Sequence, residues 1–136
     1  MQRTAIGLIA ILLVVARSAT AAKPGGFDGE YVDKKFLNGQ AVFEFSVQQT
    51  GSTLNIAFDA AYSNGSGPAP EATGTGKVSG NHAQFTWKDS HNNSGTGTIA
   101  LAGDDVAVSL KATKMSDSRC APFYRDNMKL KRIIKK

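Results

Sequence analysis

Between residues 41 and 110 apolar and polar side chains alternate with a period of two, and no window carries an i, i+3, i+4 apolar stripe long enough for a core helix. In 41–49, Phe43, Phe45 and Val47 alternate with Glu44, Ser46 and Gln48. Residues 53–58 set Leu54, Ile56 and Phe58 on one face, and 83–88 set Phe85 and Trp87 opposite Gln84, Thr86 and Lys88. Residues 106–110 repeat the pattern with Val106, Val108 and Leu110. Weaker alternation at 27–32, 73–79, 96–101 and 127–132 brings the expected strand count to eight, so the chain reads as all-β.

Glycine placement says how such strands are arranged. Gly74-Thr75-Gly76 recurs as Gly95-Thr96-Gly97, and Val78, Phe85 and Trp87 then correspond to Ile99, Val106 and Val108. Two hairpins of equal spacing suggest a meander, and glycines on neighbouring strands suit a sheet that bends sharply to close. Eight sequential antiparallel strands in about 115 residues close most economically as an up-and-down barrel, because an open meander leaves two bare edges. A barrel of eight strands is just wide enough to be filled by its own side chains or to hold one small molecule. The inward set, which also includes Val78, Leu101, Met128 and Leu130, is large and apolar without a convergent polar group, which favours a packed core.

The first 22 residues stand apart from this pattern. Met1-Gln2-Arg3 is a short basic leader, residues 5–16 are apolar, and Ala19-Thr20-Ala21 and Thr20-Ala21-Ala22 are small-x-small cleavage sites. The apolar run is about 12 residues, whereas a spanning helix needs about 20. Residues 1–22 therefore read as a secretory signal peptide, cut after Ala21 or Ala22, with no transmembrane segment after processing. The expected organisation is a β-barrel domain over 23–132 and a basic tail over 133–136, in a periplasmic or secreted protein.

Charge narrows the range of partners. The chain has 16 Lys+Arg against 11 Asp+Glu. Without Arg3 and Arg17 the count is 14 against 11, and without Lys129, Lys131, Arg132, Lys135 and Lys136 it is 9 against 11. The basic character thus belongs to the C-terminal end, which excludes a nucleic-acid-binding face. At roughly 1 kcal/mol per basic residue, the tail is at most a weak tether to an anionic surface.

Catalytic and metal signatures are missing from the sequence. There is no Gly-x-Ser-x-Gly elbow and no His-Glu-x-x-His. His82 and His91 fall in connections at opposite barrel ends, which argues against a shared metal, and no metal or cofactor is expected. One cysteine, Cys120, excludes an internal disulfide framework and leaves a free thiol, a buried small residue or an intermolecular disulfide partner. His91 falls at the same end as Cys120, but no third orienting group or family signature accompanies that pair, so the chain reads as non-enzymatic.

Gly29-x-Tyr31 on the first strand and Arg132 on the last resemble the Gly-x-aromatic opening and the basic partner of calycin-like barrels, a group including lipocalins and small periplasmic inhibitors. The resemblance covers residues 27–132 and implies an eight-stranded barrel that binds either a protein or a small hydrophobic ligand. Phe85-Thr86-Trp87-Lys88 is also similar to a strand of avidin-like barrels, but a biotin site needs several Trp walls and Trp87 stands alone.

Loop lengths point to one end of the barrel. The second, fourth and sixth connections are short, at 50–52, 80–82 and 102–105, while the third, fifth and seventh are long, at 63–72, 89–94 and 112–126. Asn38-Gly39 leaves the first connection open to a tight hairpin tip. The long connections all fall at one end, where functional surfaces concentrate. Asp117-Ser118-Arg119-Cys120-Ala121-Pro122-Phe123-Tyr124-Arg125 is the most unusual stretch. Phe123 and Tyr124 have two equally supported placements, an exposed hot spot or a cap on the barrel mouth. The expected binding residues are Asp89, Ser90, His91, Arg119, Phe123, Tyr124 and Arg125. Lys34, Lys35, Lys88, Arg119 and Arg125 are placed to approach an acidic cleft, with Asp33, Asp89, Asp117 and Asp126 close by. The expected function is an exported module that binds a protein partner through the loop end, as an inhibitor does; the alternative is a carrier of a small hydrophobic ligand.

Overall fold

A computed structural model describes residues 26–133. The expected signal peptide and residues 134–136 of the tail lie outside the described residues. Eight antiparallel strands follow one another in chain order: β1 (Gly29–Phe36), β2 (Ala41–Thr50), β3 (Thr53–Tyr62), β4 (Glu71–Ser79), β5 (His82–Asp89), β6 (Ser94–Ala102), β7 (Asp105–Lys114) and β8 (Met128–Arg132). Each pairs with the next and β8 returns to β1, so the sheet is a closed up-and-down barrel. The one helical segment among the described residues is a 3₁₀ turn over Ser118–Phe123. No helix among them is long and apolar enough to cross a membrane.

Strict alternation fills the interior. Phe43, Phe45, Val47, Leu54, Ile56, Phe58, Phe85, Trp87, Ile99, Val106, Val108 and Leu110 are buried, while the residues between them lie on the outer wall. Val78 and Leu101, expected inside, are only partly buried, because both sit where their strands leave the barrel beside short turns. Phe58 stacks on Phe43 and on Phe45 with centroids 5.4 and 5.8 Å apart, Phe85 lies 5.9 Å from Phe45, and Trp87 lies 5.6 Å from Phe58. These separations are those of packed aromatic rings. Shallow depressions among the described residues are lined mainly by outer-wall residues rather than by the interior.

The Gly-Thr-Gly echo has a packing cause. Its two copies lie on β4 and β6, on either side of β5, so Gly76 and Gly97 flank Phe85 while Gly74 and Gly95 flank Trp87. A Cβ at Gly97 would occupy the space of the Phe85 ring, and one at Gly76 would run into the Gln84 carbonyl oxygen and stand 2.6 Å from Phe85 Cβ. At Gly74 and Gly95 the obstacle is neighbouring backbone, the carbonyls of Thr86 and Lys111. The glycines let adjacent strands curl tightly around two large rings, which is how a small barrel turns its corners.

Closure is secured at the short-turn end by Arg132. β8 pairs with β7 at three positions and with β1 at two, Tyr31 opposite Arg132 and Val32 opposite Lys131. The Arg132 guanidinium lies 4.9 Å from the Tyr31 ring centroid, a cation–π geometry. Its Nε donates to the Asp104 carbonyl at 2.8 Å, Nη2 to Gly26 at 3.2 Å and Nη1 to Asp28. The Tyr31 hydroxyl donates to the Phe27 carbonyl at 2.8 Å. A Cβ on Gly29 would stand 2.7 Å from Arg132 Nη1, so the glycine two residues before the aromatic makes room for the cation. This arrangement is compatible with a calycin-like barrel.

Candidate functional site

The alternation of β5 does not stop at Trp87. Two residues on it places Asp89 on the inward face, 7% exposed. A carboxylate removed from water needs several donors, and the β5–β6 connection, expected to be long but a turn of only residues 90–93, provides them. Asp89 Oδ1 accepts the backbone N–H of His91 at 2.8 Å and of Asn93 at 2.9 Å, the reason a short polar side chain begins this turn. Asp89 Oδ2 accepts from Asn93 Nδ2 at 2.9 Å and from the Tyr124 hydroxyl. Burial alone would raise the Asp89 pKa, but the hydrogen bonds from Tyr124, Asn93 and His91 outweigh it and hold the group below the ordinary carboxylate value. Burial together with the Asp89 charge pushes the Tyr124 phenol well above its usual range.

The fully buried Asn93 carries the connection onward. Its Oδ1 accepts the backbone N–H of Asp117 at 2.9 Å, tying the β5–β6 turn to the seventh connection. Asp117 caps the 3₁₀ turn by accepting Arg119 N–H at 3.1 Å. The same carboxylate accepts Arg119 Nε at 2.9 Å and Nη2 at 2.7 Å, and lies 3.0 Å from His91 Nδ1. The bidentate Arg119 contact is the main reason its pKa falls well below the usual carboxylate range.

The seventh connection is therefore a lid fixed across the barrel mouth. Phe123 is fully buried, 6.4 Å from the Phe36 ring and 5.1 Å from the Tyr62 ring. Tyr124 is half-buried against Trp87 at 4.6 Å and Phe58 at 6.1 Å. Leu110 N–H donates to the Arg125 carbonyl at 2.9 Å, and Asn127 N–H donates to Ser109 Oγ at 2.8 Å. These bonds occupy the part of β7 that β8 is too short to reach. Of the two placements open to Phe123 and Tyr124, the structure shows the cap.

The seven expected binding residues share this end but divide into two groups. Asp89, Phe123 and most of Tyr124 lie inside and hold the lid, so they are not rim contacts. Ser90, Arg119 and Arg125 are exposed and His91 is partly so. Ser90 also joins β4, its N–H donating to the Glu71 carbonyl at 2.8 Å and its Oγ accepting Glu71 N–H at 3.0 Å. Asp89 no longer counts as a rim charge, and Asp117 is matched by Arg119 and His91. The exposed cations of this end are Lys34, Lys35, Lys88, Lys114 and Arg125, and its acids include Asp126, the half-buried Asp33 and a row of Glu44, Asp59 and Glu71 on three adjacent strands.

Two participants were absent from the expected site. Asn93 and Asp117 organise the whole cluster, and the available signal was the run of turn-forming side chains from Asp89 to Asn93 with a capping Asp at 117. Asp117 is also the third group beside His91 and Cys120 that the sequence did not reveal. Cys120 is a free thiol, fully buried. Burial and the charges of Asp117 and Asp89 push its pKa up, opposite to what an activated nucleophile needs.

No protein-family model matches the chain, and neither a characterised protein nor a solved structure is detectably similar to it.

Proposed function

We propose that the protein is an exported, non-enzymatic β-barrel that binds a protein partner through its lidded end, in the manner of a small inhibitor. The observation that carries this reading is the anchored lid. Phe123, Tyr124 and Cys120 are sunk in the barrel mouth, so the exposed Arg119, Ala121, Pro122 and Arg125 are held in one arrangement. A pre-ordered surface avoids the entropy cost of fixing a loop on binding. The exposed cations beside it, Lys34, Lys35, Lys114 and Arg125, suit a partner with an acidic cleft, where complementary charge raises the association rate and selects the partner. A raised, buried thiol supports the non-enzymatic side of the reading. Carriage of a hydrophobic ligand would require displacing stacked rings from the interior.

The test is a double substitution that reverses one charge of the lid and adds a second negative one. The protein is used to capture partners from the exported fraction of its source, and the affinity for the captured partner is then measured. Arg125→Glu together with Pro122→Glu is expected to weaken that affinity at least tenfold while leaving the melting temperature within a few degrees, since both side chains are exposed. Unchanged affinity in this variant would remove the lidded end as the binding surface.

A further inference from the structure

The lid brings together three donors of different chemistry. His91 comes from the β5–β6 turn, and Asp117 and Cys120 come from the start of the 3₁₀ segment. Spacing of three residues in a helix of three residues per turn places the last two on one side. One donor atom from each residue lies within 4.8 Å of the other two. In a tetrahedral site with bonds of about 2.0–2.3 Å, donors stand roughly 3.3–3.8 Å apart. Small side-chain rotations therefore close the difference.

We propose that His91, Asp117 and Cys120 bind one divalent cation of the zinc class, with a fourth position open towards solvent. The donor set selects the metal: imidazole, carboxylate and thiolate suit zinc, whereas calcium and magnesium take oxygen ligands. Access comes from the side of His91 and Asp117, whose side chains are 27% and 18% exposed, while the thiol closes the floor. The cation replaces the thiol proton, which leaves to solvent, and the resulting thiolate and carboxylate together match its double charge. The donors are already positioned by the surrounding chain, since Asn93 Oδ1 accepts the Asp117 N–H and Cys120 N–H donates to the Asp117 carbonyl at 3.1 Å.

Arg119 is the competitor. Its guanidinium now holds Asp117 by two hydrogen bonds, and because its side chain is 67% exposed those bonds can be exchanged for water when a cation takes the carboxylate. Metal and Arg119 thus exclude each other on one carboxylate. Binding the cation releases a guanidinium onto the exposed face of the lid. The site itself stands apart from the partner-binding reading, because its test requires no partner.

Untagged protein, stripped with a chelator, is dialysed against Zn²⁺, and a parallel sample is loaded with Co²⁺ for absorption spectroscopy. The expected result is one Zn²⁺ per chain, with affinity reduced at least tenfold by His91→Gln and by Cys120→Ser and increased severalfold by Arg119→Gln. The Co²⁺ complex should show a thiolate charge-transfer band that Cys120→Ser abolishes. If Cys120→Ser lowers the melting temperature, the partly exposed His91→Gln variant and the cobalt spectrum of the wild type decide the matter. Substoichiometric binding, wild-type affinity in His91→Gln, or a cobalt complex without the thiolate band would overturn the proposal.

Discussion

Deleting residues 127–136 should abolish the fold. The deletion removes β8, which contributes the buried Met128 and Leu130 to the interior and pairs with both β7 and β1. It also removes Arg132, whose side chain joins the Gly26 and Asp28 carbonyls to that of Asp104 and covers the Tyr31 ring. Each large apolar side chain contributes roughly 1.5–3 kcal/mol by burial, and the loss leaves two unpaired edges. Domains of this size are stable by only about 5–15 kcal/mol. Removing only 134–136 should change little, because Ile133 N–H still donates to the Glu30 carbonyl at 2.7 Å. Circular dichroism with thermal melting separates the two truncations. A cooperative melt near the wild-type temperature for the longer deletion would contradict barrel closure.

Trp87→Ala is the point substitution expected to cost most, about 3–5 kcal/mol. The ring is buried between Phe58 and Tyr124, and its Nε1 donates to the Thr96 carbonyl at 2.9 Å. On both neighbouring strands the opposed residue is glycine, so no adjacent side chain is present to fill the void. The cavity would also remove the surface on which Tyr124 rests. Trp87→Phe keeps an aromatic ring in place and should cost distinctly less. A denaturant titration reads the difference as a shift of the midpoint at constant slope. An unchanged midpoint for Trp87→Ala would mean that the indole does not support the core.

The parts of the fold set by short-range pattern were legible in the sequence. Alternation about Phe43, Leu54, Phe85 and Val106 located strands and their inner faces, and the long strand ladders follow from it. The strand ends were less so. β3 runs to Tyr62 and β7 to Lys114 because their backbones find partners on the adjacent strand, as in the pairing of Val42 with Ala61 and of Ser94 with Lys114, which no local pattern reveals. Asp89 shows the same difficulty at the site. Aspartate is a turn former, so local pattern places it at the start of a loop, yet the period of β5 carries it inward. What makes that position tolerable is a set of bonds from Asn93 and Tyr124, the latter 35 residues away in sequence. Likewise, the choice between cap and exposed surface for Phe123 depended on Phe36 and Tyr62, which tertiary contact alone supplies.

The central claim is that the seventh connection is a lid held in one arrangement by buried anchors. Native-state amide hydrogen exchange, followed residue by residue, tests it directly. Cys120, Tyr124 and Leu110 donate to the carbonyls of Asp117, Ala121 and Arg125, while the Asn93 and Asp117 amides donate to carboxylate or amide oxygens of the buried cluster. These five amides should exchange at least about a hundredfold more slowly than in an unstructured chain, and Tyr124→Phe should accelerate them while amides of β2 and β3 stay protected. Exchange of all five at unstructured-chain rates in the wild type, with the strands still protected, would show an open loop rather than a lid and contradict the account.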